Sequence, residues 1–228
     1  LVTGAAAGMG KAIAQLFARE GANVVVADLK QAEIDEVVNA IINEGGKAVG
    51  VICNVANETE VSAMMDAAIK KYGTVDVLVN NAGIFLPGKI TEEEDGILEK
   101  TINTNLYSAY YLTKKLAPKF IEQKDGYIFN MCSVASVKAY ENGGSYSISK
   151  FALLGFSKTL REELKPHNIK VTSILPGATL TDSWQGTDLP ESRFSKAEDV
   201  AELVYAITQL SKFSVVEDIV IRPQLGDI

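Results

Sequence analysis

Short apolar runs recur along this chain, and most are followed by a longer stretch with helical spacing. Residues 23–28 (NVVVAD) form the clearest run. Its β-branched residues do not alternate with polar ones, as expected of a strand covered on both faces. Residues 47–52 (KAVGVI), 75–79 (VDVLV), 127–131 (YIFNM), 170–174 (KVTSI) and 218–221 (DIVI) read the same way, with Leu1-Val2 as the stub of another strand. Between the first runs, Ile13, Leu16 and Phe17 fall on one helical face and Gly21 ends that helix. A second helix is expected from Gln31 to about Glu44, stopped by Gly45-Gly46. Strands alternating with helices of this length require right-handed crossovers, which build a parallel sheet with helices on both faces. The spacing therefore predicts an α/β fold with a doubly wound parallel sheet of about seven strands, in one domain spanning residues 1–228. Apolar residues make up 47% of the chain, enough to fill the two cores such a sheet needs.

In a sheet of this kind, ligands bind beyond the carboxyl ends of the strands. The first such end carries Thr3-Gly4-Ala5-Ala6-Ala7-Gly8-Met9-Gly10. Gly4 permits a tight turn, Gly8 lets the backbone approach a pyrophosphate, and Gly10 lets the following helix lie close to the sheet. The helix N-terminus favours the phosphate charge. This is a Rossmann-type arrangement, and Gly4, Ala7, Gly8, Met9 and Gly10 are expected along the dinucleotide. Asp28 ends the second strand, with Leu29 beside it. A carboxylate there accepts hydrogen bonds from ribose hydroxyls and repels a 2′-phosphate. The expected cofactor is NAD, with NADP disfavoured. Lys30, two residues on, is the one nearby cation that opposes this reading.

Tyr146 and Lys150 form YxxxK, and the stretch YSISKFALLGFSKTLREEL reads as a helix. The i, i+4 spacing puts both side chains on one face. Ser133 follows an apolar strand just before that helix, so the three groups converge at the strand ends. A free phenol has a pKa of about 10, too high for a base at neutral pH. A nearby ammonium is expected to lower it. Tyr146 would then exchange a proton with an alcohol or carbonyl oxygen while hydride moves at carbon, and Ser133 would hydrogen-bond that oxygen.

Competing chemistries have little to work with. The net charge of −7, without a basic run, disfavours nucleic acid and anionic lipid. No apolar run approaches the ~20 residues of a membrane span. His167, the sole histidine, sits in the turn Lys165-Pro166-His167-Asn168, so neither a Ser-His-Asp triad nor a histidine-rich metal site is expected. Cys53 and Cys132 lie in apolar stretches and read as buried free thiols, which suits a reducing, cytoplasmic setting. The loop from Ala178 to Ser195 is the one long irregular stretch, a candidate lid.

These residues together resemble the short-chain dehydrogenase/reductase family, over nearly the whole chain. TGAAAGMG is similar to its TGxxxGxG turn, and Asn80-Asn81-Ala82-Gly83 to its NNAG motif. Asn105 matches its helix asparagine, Ser133, Tyr146 and Lys150 its Ser, Tyr and Lys, and Pro176-Gly177 through Thr181 its PGxxxT segment. Six motifs in the right order are specific, although each alone is not. The resemblance implies an oxidoreductase acting on a small carbonyl or secondary alcohol. Tyr146 would be the acid/base, Ser133 would position substrate, Lys150 would hold the nicotinamide ribose, and Asn105 would carry a proton relay. Asp28, Asn54, Val55, Asn80, Ala82, Gly83, Pro176, Gly177, Thr179 and Thr181 would line the cofactor groove. Two departures stand out. Asn54-Val55 replaces the family's Asp-Val, and the chain ends IRPQLGDI rather than in a glycine-rich tail.

Phe85, Leu86, Tyr140 and Trp184 are expected at the edge of the substrate pocket. The excess of apolar and aromatic residues in 105–120 and 151–164 predicts a homodimer or homotetramer, with Tyr107, Tyr110 or Tyr111 at the contact. Two other readings use the same fold: a catalytically silent dinucleotide-binding module, and a non-redox epimerase or lyase.

Overall fold

The computed structural model describes residues 1–228 apart from Gln185 and Asp227. Gln185 belongs to the predicted lid and Asp227 to the tail named above, and both lie outside the described residues. Seven strands form one sheet: β1 Val2–Thr3, β2 Asn23–Asp28, β3 Lys47–Ile52, β4 Val77–Asn80, β5 Gly126–Met131, β6 Ile169–Pro176 and β7 Asp218–Ile221. Their order is β3-β2-β1-β4-β5-β6-β7 and every pairing is parallel. The winding reverses between β1 and β4, whose shared register is Val2 opposite Val79. That reversal leaves a crevice at the carboxyl ends, where the glycine-rich turn sits.

Seven α-helices cover the sheet: α1 Gly8–Arg19, α2 Gln31–Asn43, α3 Glu58–Tyr72, α4 Ile97–Ile102, α5 Ser108–Gln123, α6 Gly144–Leu164 and α7 Ala197–Thr208. Successive strand residues face opposite sides, and the two cores show it. On one side Val24 and Val26 of β2 and Phe129 and Met131 of β5 pack with α1, α2 and α7. On the other, Val25, Ala27 and Ile128 pack with α3, α5 and α6. Every residue of β5 is buried, which is why its sequence shows no polar alternation.

The structure differs from the sequence reading in three places. Strand β4 begins at Val77 rather than Val75 and runs to Asn80, because the ladder to β5 spans Val77 opposite Tyr127 through Asn80 opposite Asn130. Strand β6 extends to Pro176, held by the ladder to β7. The stretch 105–120 does not form one continuous α-helix: α4 joins α5 through a π-helical turn, Asn103–Tyr107, with Asn105 at its centre. Such turns widen the helix and often mark functional sites.

Candidate active site

Helix α1 begins at Gly8, directly after the turn, so its unpaired N–H groups face the crevice. Gly10 has no room for a side chain: a Cβ there would stand 2.1 Å from the Gly4 carbonyl oxygen and 2.5 Å from Asn81 Nδ2. A Cβ on Gly8 would come within 3.0 Å of the Thr181 methyl, so the turn and the 176–181 segment form two close walls. The turn is pinned to the end of β4. Asn81 N–H and Ala82 N–H each donate to Thr3 Oγ1 at 3.1 Å. Asn81 Nδ2 donates to the carbonyls of Thr3 and Gly4 at 2.9 and 3.0 Å. Asn81 is thus the working amide of the NNAG stretch, and the sequence reading had favoured its neighbour. The Asn80 side chain is buried, donating to Asn130 Oδ1 at 2.8 Å and Thr113 Oγ1 at 3.2 Å. Its amide nitrogen ties β4 to β5 and α5, while its Oδ1 is buried with no hydrogen-bond partner among the described residues.

Asp28 sits where a ribose reader should. Its carboxylate accepts from Ala6 N–H at 3.0 Å and Leu29 N–H at 2.7 Å, which fixes it against the turn. Lys30 is engaged elsewhere, its ammonium 2.6 Å from Glu33. Asn54 closes its own turn by accepting from Ala56 N–H at 3.1 Å, while Val55 is buried. The crevice therefore fits a dinucleotide: glycines where side chains would clash, free helix N–H groups, and a carboxylate at the far end.

Ser133, Tyr146 and Lys150 meet at the carboxyl end of β5. Ser133 accepts from Ala135 N–H at 3.1 Å, and its own N–H donates to Ser136 Oγ at 3.1 Å. Its hydroxyl lines the same cavity as the Tyr146 phenol and acts to lower that phenol's pKa. Lys150 is 6% exposed and donates to the Met131 carbonyl at 2.7 Å, with its ammonium 5.7 Å from the centre of the Tyr146 ring. Burial lowers the Lys150 pKa to about 8. Burial also raises the Tyr146 pKa, which the Ser133 hydroxyl only partly offsets. The lowering expected from Lys150 is therefore not what governs the phenol in the protein alone; burial does.

Asn105 is 1% exposed. It accepts from Ile84 N–H at 2.7 Å and donates to the Ile84 carbonyl at 3.0 Å and to Ser149 Oγ at 2.9 Å. Both amide hydrogens are committed, so its side chain clamps the loop after β4, at Ile84, to α6. A Cβ on Gly83 would lie 3.2 Å from Asn105 Oδ1 and 3.7 Å from Lys150 Nζ, which places these groups together behind Tyr146.

In front of Tyr146 and Ser133 lies a cavity of about 340 Å³. Met9, Gly177, Thr179 and Thr181 join it to the cofactor crevice, while Pro176 ends β6 behind it. Phe85, Tyr140 and Trp184 line it as expected; Leu86 does not. Phe85 meets the Tyr146 ring edge-on at 4.9 Å, and Trp184 packs on Phe194 at 5.0 Å. The predicted lid is not wholly irregular. It contains the short 3₁₀ turns Asp182–Trp184 and Glu191–Arg193, and Thr179 pairs with Ser195 at its base.

Several residues went unseen in the sequence. Glu93 accepts from Ser145 N–H at 2.9 Å and from the Ser145 hydroxyl, anchoring the start of α6 one residue before Tyr146. Arg222 and Ile228, beyond β7, reach the cavity. No local pattern announces contacts across 52 residues. His167 is exposed in the turn Lys165–His167, and both cysteines are buried and free. Among the described residues no cluster of acidic, histidine or cysteine side chains could hold a metal, and no helix is long and apolar enough to cross a membrane.

With this geometry in view, comparison with known proteins is informative. The family model described as short chain dehydrogenase matches residues 1–191. The 3-oxoacyl-(acyl-carrier-protein) reductase FabG of Thermotoga maritima is 32% identical over 214 residues, covering 90% of this chain and 87% of that protein. A metagenomic short-chain oxidoreductase in complex with NADP superposes with a TM-score of 0.86 at 28% identity, covering 99% of this chain and 96% of the other. A 7α-hydroxysteroid dehydrogenase complexed with NADH and 7-oxo glycochenodeoxycholic acid gives 0.88 at 31% identity, covering 99% and 92%.

Proposed function

The chain belongs to the short-chain dehydrogenase/reductase family, and from that premise we propose how its residues divide the reaction. It is an oxidoreductase that exchanges hydride between a nicotinamide dinucleotide and a carbonyl or secondary alcohol. One observation carries the assignment of roles: Tyr146 and Ser133 face the same cavity, which Met9, Gly177, Thr179 and Thr181 join to the dinucleotide crevice.

The cofactor, when bound, supplies or takes the hydride. Tyr146 gives its phenolic proton to the carbonyl oxygen in reduction and receives it in oxidation. Its raised pKa keeps it protonated at neutral pH, ready to donate. Ser133 hydrogen-bonds the same oxygen and orients it. Lys150 holds positive charge behind the phenol and reaches the ribose hydroxyls. Asn105 holds the framework around Lys150; a relay through its side chain has no amide hydrogen to spare. Gly4, Ala7, Gly8, Met9 and Gly10 take the pyrophosphate side, and Asp28 with Leu29 the adenosine ribose. Asn54, Val55 and Asn80 border the adenine end, with Ala82 and Gly83 at the centre. Pro176, Gly177, Thr179 and Thr181 close over the nicotinamide. One domain carries both sites. Following the absorbance of reduced cofactor with a panel of ketones tests this. Turnover is expected; cofactor binding without turnover across the panel would favour the silent module.

The preferred cofactor is NAD. Relatives bind either form, so the support is local: Asp28 faces the ribose position, and Glu33 occupies Lys30. A 2′-phosphate beside Asp28 would meet a like charge, which sets a preference of roughly 5- to 150-fold in kcat/KM. Asp28→Ala should lower that ratio toward one. An NADP preference in the wild-type protein would show that Lys30 outweighs Asp28.

The assembly is a homodimer or a dimer of dimers through α5 and α6. Tyr107 and Tyr110 are each 42% exposed, and Ile148 and Phe151 lie open on α6. Light scattering at micromolar concentration should return two or four chains, and a monomer would contradict this. Two buried free thiols suit a reducing compartment, which supports the cytoplasm.

A further inference from the structure

The cavity in front of Tyr146 is charged unlike the rest of the molecule. The chain has 29 acidic and 22 basic residues, yet no described residue lining the cavity is acidic, while Lys138 and Arg222 both line it. Lys138 lies five residues beyond Ser133. Its N–H donates to the Val134 carbonyl at 3.2 Å, which fixes its main chain to the turn that starts at Ser133. Lys30, Lys89, Lys119, Lys158 and Lys165 each have a carboxylate within ion-pair distance. Among the described residues, Lys138 has none. Lys138 is exposed at the rim of the cavity, and its three N–H donors have no carboxylate to hold them. The remaining walls are largely apolar, formed by Phe85, Val134, Tyr140 and Trp184.

We propose that the substrate is a ketone, or its alcohol, on an aromatic or alicyclic body that carries a carboxylate apart from the reacting carbon, and that Lys138 receives this carboxylate. The proposal rests on the reading above, in which Tyr146 and Ser133 take the reacting oxygen. Rings pack on the aromatic walls, and the anion supplies the counter-charge that the chain withholds. A charge-assisted hydrogen bond to an exposed lysine is weakened by solvent and salt, which sets a modest, salt-sensitive preference.

The test uses matched pairs of aryl ketones, each a ring carboxylate and its neutral primary amide, with reduced cofactor at saturation. The acid should exceed its amide in kcat/KM by about tenfold, mainly through KM, and the ratio should fall as salt is raised. Lys138→Gln should bring the ratio to about one, and Lys138→Glu should invert it. Equal kcat/KM for acid and amide in the wild-type protein, or a ratio that survives Lys138→Gln, overturns the proposal. Calorimetric titration of the same acids and amides into the protein with oxidised cofactor is read alongside. Preferential binding of acids that depends on Lys138, with no ketone reduced, would retract the catalytic roles and uphold the anion site. Reduction of amides and acids alike would retract the anion site alone.

Discussion

Tyr146→Phe should lower kcat by at least about 10³-fold while leaving the cofactor dissociation constant within about threefold. The substitution deletes one oxygen from a ring that keeps its edge-on contact with Phe85, so the fold should be unaffected. The loss falls on the proton. Ser133 still hydrogen-bonds the substrate oxygen, but a serine hydroxyl is a far weaker acid than a phenol and has no buried cation behind it. Binding is set by the glycine turn and Asp28, which the phenol does not touch. Stopped-flow measurement of the hydride step, with cofactor binding followed by fluorescence, separates the two quantities. Retention of more than a few per cent of wild-type kcat would remove Tyr146 from the mechanism. The pH profile gives a second check. Burial keeps the phenol protonated, so ketone reduction should be nearly level through neutral pH, whereas alcohol oxidation, which needs the phenolate, should climb with pH.

Lys150→Met should abolish most activity, by about 10²- to 10⁴-fold, and at the same time make the protein without cofactor more stable at pH 7. Lys150 is buried with no carboxylate partner, and desolvation lowers its pKa from the usual 10.5 to about 8. Below about 8 both folded and unfolded chains hold the proton, and the cost of burying the charge is present in full. Between about 8 and 10.5 the unfolded chain binds a proton that the folded chain has released, so stability rises with pH across that window. Methionine has similar length and no charge, which removes the cost. A gain on the order of 1–3 kcal/mol is expected at pH 7, reduced by loss of the bond to the Met131 carbonyl. Denaturant unfolding at pH 7 and pH 10 measures it. A variant less stable than wild type at pH 7, or one that keeps the rise between pH 8 and 10.5, would show that Lys150 is not held as a costly buried cation.

The strands were legible because apolar residues run together in them. The runs at Asn23–Asp28, Lys47–Ile52 and Asp218–Ile221 fall on the observed strands, although only Asn23–Asp28 is buried on both faces and the edge strands Lys47–Ile52 and Asp218–Ile221 are half-buried. The limits of β4 and β6 were less clear, because Asn80 and Pro176 are not apolar or β-branched and are held in the sheet by partners from distant sequence. The reacting groups were legible because Tyr146 and Lys150 are spaced by one helical turn and Ser133 follows a strand. Their electrostatics were not. Spacing reports that an ammonium is near a phenol, but burial set the direction of the phenol's shift, and burial depends on the whole fold. Glu93 and Asn81 were missed for a related reason. Each works on a segment 52 or more residues away, and nothing in the intervening sequence records the meeting.

The pinning of the glycine turn by Asn81 bears on how the chain acquires its shape during synthesis. Strand β1 is only two residues long and lies at the centre of the sheet, between β2 and β4. The turn it delivers is held by residues 78 and 79 positions further on. The turn therefore stays unfinished until β4 has emerged and docked, a distant closure that must precede any reward from ligand. Once both edges are in place, a dinucleotide lying over the turn bridges the seam between β1 and β4 and ties together two halves that the chain made far apart. Cofactor in the surrounding solution then acts late, as a fastener on a nearly finished molecule rather than as a template for its assembly.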